Sequence, residues 1–288
     1  FFTSQEERDA QKLEKVQKIS ITEISNFPNH PFKVEKNAEL QEMVESIANG
    51  GVRQPVIVRQ KEDGNYEMIS GHRRKMTLEL LSIVEADAII KELNDDEATV
   101  YMVDSNMYRE KILPSEKAFA YKMRLEAMKR QGQRTDLTSV PLAQKSKTSR
   151  ELLGEEVGES QDQVRRYIRL TNLIPELLNL VDEKLIAMRP AVEISYLSQN
   201  AQRWILEAIE YNDCTPSHAQ TLRMRKFADQ GKLSKDVIDT IMDEEKPNQR
   251  EKSPFRDDRI TSHIPKNIPK DKHCEFVIKA VDYYSRVL

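Results

Sequence analysis

The spacing of apolar residues divides the first part of the chain into short strands and helices. Apolar runs of strand length lie at 18–21, 55–58, 66–69 and 86–90. Residues 38–49 repeat their apolar positions at helical spacing, and Gly50 is expected to end that helix. A second helix is expected to begin at Gly71 and to reach about Leu81. Strands that alternate with helices predict a small α/β domain over 19–110.

From residue 114 onward the spacing is helical. Pro114 begins a helix that is expected to end near Gly132, and the polar segment 133–147 is expected to form a loop. Further helices are predicted at 149–157, 161–172, 176–182, 190–198, 201–211, 217–229, 235–244 and 271–287. A proline-rich linker occupies 247–270. The expected class is α+β, with a tail over 1–18, the α/β domain over 19–110, an all-α domain over 111–212 and a helical C-terminal region over 213–288.

The two helices at 149–157 and 161–172 are separated by a tight turn at Gly158. Ser160 precedes the second helix and Gln163 follows three residues later, which is the spacing of a capping box. Two short helices joined in this way predict a helix-turn-helix, whose second helix enters the major groove of DNA. A pair of core helices with solvated arginines is the structural alternative.

Arginine can hydrogen-bond to guanine edges and glutamine to adenine edges, while hydroxyl and lysine side chains suit phosphates. The second helix offers Gln161, Gln163, Arg165 and Arg166 for bases or phosphates, and Arg169 for the DNA backbone or an acid. The residues expected to contact phosphates around the start of the first helix are Lys145, Lys147, Thr148, Ser149 and Arg150.

Charge supports nucleic-acid binding only locally. The whole chain has a net charge of −3, which does not indicate such a partner. Residues 121–150, in contrast, hold eight basic and two acidic side chains. This excess of six positive charges suits contact with phosphates, although a solvated helix face and loop would have the same composition.

Several functional classes are disfavoured by composition. No run approaches the roughly 18 apolar residues that a membrane-spanning helix needs, and no signal peptide is evident. Cys214 and Cys274 are isolated and predict neither a metal site nor a disulfide. We therefore expect a protein of the reducing cytoplasm. The chain begins with Phe1 rather than methionine, which leaves a longer natural N-terminus open.

The segment Ser70-Gly71-His72-Arg73-Arg74 follows a predicted strand and begins a predicted helix. Glycine lets the backbone approach an anion, and the amide groups at a helix N-terminus point toward it. The two arginines add positive charge and forked donors. The segment predicts a phosphate-binding corner; a turn glycine followed by a solvated basic helix start is the alternative.

Four motifs in this order resemble the sequence boxes of the ParB family: GVRQPVIVR at 51–59, GHRR at 71–74, NMYRE at 106–110 and PSEKA at 114–118. The resemblance covers about 19–200 and implies a ParB/sulfiredoxin-like N-terminal domain followed by a helix-turn-helix. Two positions depart from the family pattern, because His72 and Ser105 stand where acidic residues are usual. The last third does not match the C-terminal zipper of the family.

The resemblance implies a CTP site with Mg²⁺. Its phosphate corner would be formed by Gly71, His72, Arg73 and Arg74, and its base and ribose pocket by residues 26–32 with Gln54 and Pro55. Asn106 would be a ligand of the metal, and Asp104 is a candidate for the missing carboxylate beside Ser105. A carboxylate suits Mg²⁺ better than a hydroxyl does, so weak CTP hydrolysis remains an open expectation.

The function that the resemblance implies is DNA segregation. A homodimer in the cytoplasm, associated with the nucleoid, would bind a centromere-like site in double-stranded DNA and act with a ParA-type ATPase on a plasmid, mobile element or chromosome. CTP would close its N-terminal domains around DNA as a clamp. A transcription regulator with the same fold and no nucleotide switch is an alternative.

Two further possibilities concern catalysis and assembly. A metal-dependent nuclease would need clustered carboxylates, for which Asp95, Asp96, Glu97 and Asp104 are candidates. Sulfiredoxin chemistry is excluded because it needs a thiolate at the corner, where this chain has a glycine. In the last helix, apolar residues with 4-3-4 spacing are compatible with a dimer seam or with packing inside their own domain. They are Val277, Val281, Tyr284 and Leu288.

Overall fold

The computed structural model describes residues 15–107, 109, 111–136, 149–244, 263–265, 268–269 and 272–287. The chain divides into two compact units, Phe1–Tyr196 and Leu197–Leu288. Within the described ranges, no helix has both the length and the apolar character needed to cross a membrane.

A five-stranded mixed sheet forms the base of the first unit. Its strands are β1 (Val16–Ser20), β2 (Ile24–Ser25), β3 (Val56–Gln60), β4 (Tyr66–Ser70) and β5 (Glu85–Ile90). They lie in the order β1-β5-β3-β4-β2. The β1–β5 and β3–β4 pairs are antiparallel, and the β3–β5 and β2–β4 pairs are parallel. The first strand begins at Val16, inside the segment assigned to the tail, because Val16 pairs with Ile89.

Helices cover both faces of this sheet. Met68 and Ile69 are adjacent in β4 and both fully buried, so they point to opposite faces. Met68 belongs to a core shared with α1 (Ala38–Gly50) and α2 (His72–Leu80). Ile69 belongs to a second core built with α3 (Asp95–Met107) and α4 (Pro114–Asp136).

The α3 helix was not expected from the spacing of apolar residues. Asn94 caps it, with its Oδ1 accepting from the amides of Asp96 and Glu97, both at 3.0 Å. The Glu97 carboxylate in turn accepts from the Asn94 amide at 2.9 Å. This reciprocal cap is readable in the sequence as Asn-x-x-Glu. The acidic run therefore forms a helix start, where negative charge is favourable.

The rest of the first unit is helical. It contains α5 (Ser149–Val157), α6 (Gln161–Leu170), α7 (Pro175–Asp182) and α8 (Met188–Ile194). The α4 helix runs four residues beyond its expected end at Gly132, since a glycine costs a helix interior only about 1 kcal/mol. The α8 helix begins two residues before the predicted start because Pro190 is tolerated in a first turn. The α+β class is confirmed.

The second unit contains α9 (Gln199–Asn212), α10 (His218–Asp229), α11 (Lys235–Asp243) and α12 (His273–Val287). Ser217 and Gln220 form a complete capping box at the start of α10. The side-chain Nε2 of Gln220 also donates to the Ile241 carbonyl at 2.7 Å and so links α10 to α11. In α12, Val281 and Tyr284 of the candidate seam are exposed.

Candidate functional sites

Gly71 turns the chain from β4 into α2. Its φ of +114° lies in the left-handed region. A Cβ at this position would stand 2.8 Å from Cγ1 of Val56, which is closer than side chains pack. Glycine is therefore required here both by conformation and by space. The first amide groups of α2 follow this turn, and no side chain caps the helix there.

Three side-chain nitrogens at this corner are buried and have no hydrogen-bond partner among the described residues. They are Nε2 of His30, Nε2 of His72 and Nε of Arg73. A buried polar group without a partner costs about 1–3 kcal/mol. Three such groups at one helix N-terminus indicate a site shaped for a polar ligand that supplies the missing partners.

A cavity of about 560 Å³ opens beside Arg73. Its lining is rich in charge and comprises Lys33, Glu35, Asn37, Glu39, Arg73, Arg109, Lys111, Leu113 and Glu116. Arg73 forms an ion pair of 3.0 Å with Glu39, and Arg109 lies 5.4 Å from the centre of the Phe32 ring. The volume is that of a small-molecule site. Four cationic side chains against three carboxylates leave an excess of one positive charge, which favours an anionic ligand.

Glu116 fixes two walls of this cavity. One of its carboxylate oxygens accepts from the Lys33 amide at 2.7 Å, and the other accepts from the Leu113 amide at 2.9 Å. The residue is buried in the first turn of α4. Because both oxygens are held, the segments before α1 and before α4 keep a fixed separation across the site.

Arg74 has a different role from its neighbour. Its Nη1 donates to the carbonyl of Gln54 at 2.8 Å and to that of Pro55. Burial lowers the pKa of this guanidinium. The structure thus brings Arg74 together with Gln54 and Pro55, two other predicted nucleotide contacts, at the loop before β3. None of the three lines the Arg73 cavity. Arg74 holds the loop that precedes β3.

Residues 26–32, expected to form the base and ribose pocket, separate into three locations. Phe27 and Phe32 are buried in the core shared with α3. Pro28 and Asn29 line a second cavity of about 840 Å³ beside Arg59. His30 stacks on His72 at the corner, with ring centres 3.8 Å apart.

The predicted metal ligands are engaged by the protein itself. Asp104 forms an ion pair with Arg124 at 2.7 Å and lines a separate hollow together with Glu156. The buried Asn106 amide donates to the Met102 carbonyl at 2.8 Å. These residues do not fit a magnesium site in this arrangement, because the carboxylate is already neutralised by an arginine. Elsewhere in the described part of the chain, no three His, Cys, Asp or Glu residues cluster in a way that could hold a metal ion.

The carboxylates considered for a nuclease are also paired. Asp95 forms an ion pair with Arg59 at 2.7 Å, and Asp96 forms one with Arg130 at 2.6 Å. Both lie in the first turn of α3. Their contacts are those of a capped and cross-linked helix.

The helix-turn-helix is built around two glycines. Gly158 takes φ +69° in the turn between α5 and α6. At Gly154, inside α5, a Cβ would stand 2.6 Å from the Glu159 carbonyl oxygen. Ser160 then caps α6, and its Oγ accepts from the Gln163 amide at 3.2 Å. The turn can therefore approach α5 this closely only because Gly154 has no side chain.

The α6 helix has one buried side and one exposed side. Val164 and Leu170 are fully buried, whereas Gln161, Arg165 and Arg166 are exposed. Gln163 is partly buried near the cap. Three of the five α6 residues predicted to contact DNA therefore lie on its exposed side, which is the side that a DNA-reading helix presents to the major groove.

Arg169 differs from the other predicted contacts of α6. Its Nη2 donates to the Ser195 carbonyl at 3.0 Å, and its guanidinium lies 3.9 Å from the centre of the Tyr196 ring. These contacts attach α6 to the chain that follows α8. At the start of α5, Ser149 is partly buried and Arg150 is exposed. Lys145, Lys147 and Thr148 lie outside the described residues.

Three residues of the corner received no role from the sequence. Arg109 and Glu116 belong to the NMYRE and PSEKA motifs, so membership in these motifs was the sequence feature that could have assigned them to the site. Lys75 is buried, and its Nζ donates to the Ile24 carbonyl at 2.6 Å and to Oδ1 of Asn26 at 3.1 Å. No sequence pattern distinguishes this lysine from a solvated one.

Comparisons with known proteins agree with this fold. Two family models match: the ParB N-terminal domain over residues 5–107 and the ParB HTH domain over residues 140–226. The nucleoid occlusion protein of Bacillus cereus (strain ATCC 10987 / NRS 248) is 33% identical over 188 residues, which are 65% of this chain and 59% of that protein. The match thus spans about three fifths of the length of this relative.

Two solved structures are similar at low sequence identity. C-terminally truncated ParB from Caulobacter crescentus complexed to the centromeric parS site has a TM-score of 0.42 and 17% identity, covering 78% of this chain and 98% of that one. The same truncated protein complexed with CTP-gamma-S has a TM-score of 0.31 and 20% identity, covering 64% and 94%. By its two domain matches, this chain belongs to the ParB family.

Proposed function

We propose that this protein binds a short site in double-stranded DNA and that CTP, bound in the Arg73 cavity, controls this binding as a clamp. One observation supports the proposal most directly. Three unpartnered buried nitrogens surround the start of α2, in the same unit as a helix-turn-helix with exposed arginines. An anion site and a DNA-reading helix in one unit are what a nucleotide-controlled DNA-binding protein needs.

The DNA side of the proposal rests on α5 and α6. In this arrangement Arg165 and Arg166 reach base edges or phosphates from the exposed side of α6, together with Gln161. Ser149 and Arg150 at the start of α5 contact phosphates, where the helix N-terminus favours negative charge. Arg169 positions α6 through its contacts with Ser195 and Tyr196 rather than contacting DNA.

The nucleotide side rests on the corner and its cavity. Arg73 and Arg109 neutralise phosphate charge, and Lys33 and Lys111 line the same cavity. The Gly71 turn leads directly into the first turn of α2, whose amides favour an anion. Bound CTP supplies the negative charge and the hydrogen-bond partners that these groups lack. We assign no hydrolytic step, because Asp104 and Asn106 are held by other protein groups.

The α4 helix offers a physical connection between the two sites. Its adjacent residues Glu116 and Lys117 reach the cavity wall and the helix-turn-helix, respectively: Lys117 forms an ion pair of 2.7 Å with Glu159 in the turn. Two turns further on, Arg124 is bound to Asp104 of α3 and to Glu156 of α5. A rotation of α4 that follows nucleotide binding would therefore move the helix-turn-helix at two points, Glu156 of α5 and Glu159 in the turn.

We further propose that the protein is a homodimer associated with the nucleoid, that its site is centromere-like and that a ParA-type ATPase is its partner in segregation. The name of the Bacillus relative favours a second role, in nucleoid occlusion. Mapping of bound sites in cells separates the two roles. Sites clustered at one locus favour segregation, and sites dispersed along the chromosome favour nucleoid occlusion.

Calorimetric titration of the full chain with CTP and MgCl₂ tests the proposal. We expect saturable heat for the wild type and none for Arg73→Ala. The matched control is Arg165→Ala, which should keep CTP binding while weakening binding to a duplex selected from a random library. Absence of heat with CTP, both with and without DNA, would refute the nucleotide switch. DNA binding that CTP leaves unchanged is the outcome expected of a plain transcription regulator.

A further inference from the structure

We propose that nucleotide binding at the α2 corner takes up protons through the stacked imidazoles of His30 and His72, so that affinity for a nucleoside triphosphate rises as the pH falls. This inference rests on the proposed CTP site and concerns its regulation. His72 stands where the ParB motif usually has an acidic residue, and together with His30 it places at the corner two imidazoles, the side chains whose ordinary pKa lies nearest physiological pH.

The geometry of the pair determines which atoms can take a proton. The rings are 3.8 Å apart between centres and tilted by 36°. Nδ1 of His30 lies 2.8 Å from the Phe32 carbonyl oxygen, which can only accept. In a neutral His30, the proton therefore sits on Nδ1, and Nε2 carries a lone pair. That buried Nε2 has no partner among the described residues, and neither has Nε2 of His72.

The surroundings keep both rings neutral in the free protein. Burial lowers the pKa of His72 to about 3, with further lowering by His30, Lys75 and Arg109. Burial also lowers the pKa of His30, against the hydrogen bond to Phe32 and together with Arg109.

The carboxylates near this corner are already committed to other groups. Glu39 is paired with Arg73, and Glu116 accepts hydrogen bonds from two backbone amides. Burial lowers the pKa of Arg109, against the negative charge of Glu116. The charges that face the pair in the free protein are therefore the positive ones of Lys75 and Arg109.

A bound polyphosphate reverses this balance. Ionised phosphate oxygens only accept hydrogen bonds. Nε2 of His30, which carries a lone pair in the neutral ring, can therefore bind them only after it takes up a proton. Nearby negative charge favours the cationic ring and raises its pKa in the bound state. Binding then takes up protons between the free and the bound pKa. Affinity rises as the pH falls through that window, by at most about tenfold per pH unit for each proton. For His72 the window ends near pH 3, its pKa in the free protein.

His72 directly precedes Arg73, but neither His72 nor His30 is among the described side chains that line the cavity. The titratable side chains that do line it cannot imitate this effect. They are arginine, lysine and carboxylate groups, whose ordinary pKa values lie outside pH 6–8. The last protonation of CTP itself acts in the opposite direction, because a cationic site releases that proton. The difference between wild type and a variant without the imidazoles therefore isolates the histidine contribution.

The test is calorimetric titration with CTP and MgCl₂ at pH 6.5 in buffers of different ionisation enthalpy. The dependence of the observed heat on that enthalpy counts the protons taken up. We expect a larger uptake for wild type than for His72→Gln or His30→Gln, because glutamine can hydrogen-bond but cannot take a proton. His218→Gln in α10 is the matched control and should behave as wild type. Equal proton uptake in wild type and in both corner variants would overturn the inference while leaving CTP binding intact.

A second measurement covers variants that lose CTP binding altogether. Side-chain nitrogen NMR of the wild-type protein at pH 7 distinguishes neutral from protonated imidazole among its five histidines. We expect CTP to shift His30, His72 or both toward the protonated form. Two rings that stay neutral at saturating CTP would refute the inference. No CTP binding by the wild type would refute the proposed function and this inference together.

Discussion

Replacement of Gly154 by alanine tests whether the helix-turn-helix depends on the close backbone contact between Gly154 in α5 and Glu159 in the turn. The added Cβ would stand 2.6 Å from the Glu159 carbonyl oxygen, and no side chain can rotate away to relieve the clash. Overpacking costs about 1–3 kcal/mol, and a backbone obstacle places this case in the upper part of that range. Alanine regains about 1 kcal/mol of helix propensity. The net expectation is a destabilisation of about 1–2 kcal/mol.

Thermal unfolding and DNA binding measure the effect of this substitution. A change of this size lowers the melting temperature by about 2–8 °C in a domain of 150–250 residues. Affinity for the selected duplex should fall as well, because the turn at Glu159 leads directly into the Ser160 cap of α6.

The control for Gly154→Ala is Gly50→Ala at the end of α1. There the nearest atom to the new Cβ is Nη2 of Arg53 at 3.9 Å, so no clash arises. We expect unchanged or slightly raised stability. Should Gly154→Ala melt at or above the wild-type temperature and bind DNA equally well, the steric reasoning about this turn would be wrong.

Substitutions at four further positions probe contacts elsewhere in the first unit. Arg59→Met leaves the buried Glu67 carboxylate without its 2.6 Å partner and should cost about 3 kcal/mol in urea unfolding, much of which Arg59→Met/Glu67→Leu should restore. Lys75→Met removes both hydrogen bonds to the segment before the corner, so calorimetry should show weaker CTP binding. Arg169→Ala should lower the melting temperature, whereas Arg165→Ala should reduce the salt dependence of DNA binding by about one unit of slope.

Four of the five strands and most helices follow from local sequence signals. The two-residue strand β2 was not predicted, and α3 is the informative exception among the helices. Its apolar residues face a core on one side, while its first turn is entirely acidic. Because its first residues are acidic, apolar spacing alone does not predict where this helix begins. The cap formed by Asn94 and Glu97 was the signal that would have revealed it.

The candidate site is predictable in part. Gly71 and Arg73 lie where the motif places them, because a strand, a tight turn and a helix start are local features. Arg74 and Arg169 could not be assigned from sequence, since their partners are backbone carbonyls distant along the chain. The neighbour of His72 was likewise hidden, because the ring of His30 reaches it only through the fold.

Retention of the full-length protein on closed circular DNA tests the central claim most directly. The circle carries the selected site, and retention is measured after a salt wash with and without CTP and MgCl₂. We predict that CTP increases retention of the wild type on the circle, that linearising the DNA abolishes the increase and that Arg73→Ala shows none. Equal retention with and without CTP would contradict a nucleotide-controlled clamp and leave a DNA-binding protein without a switch.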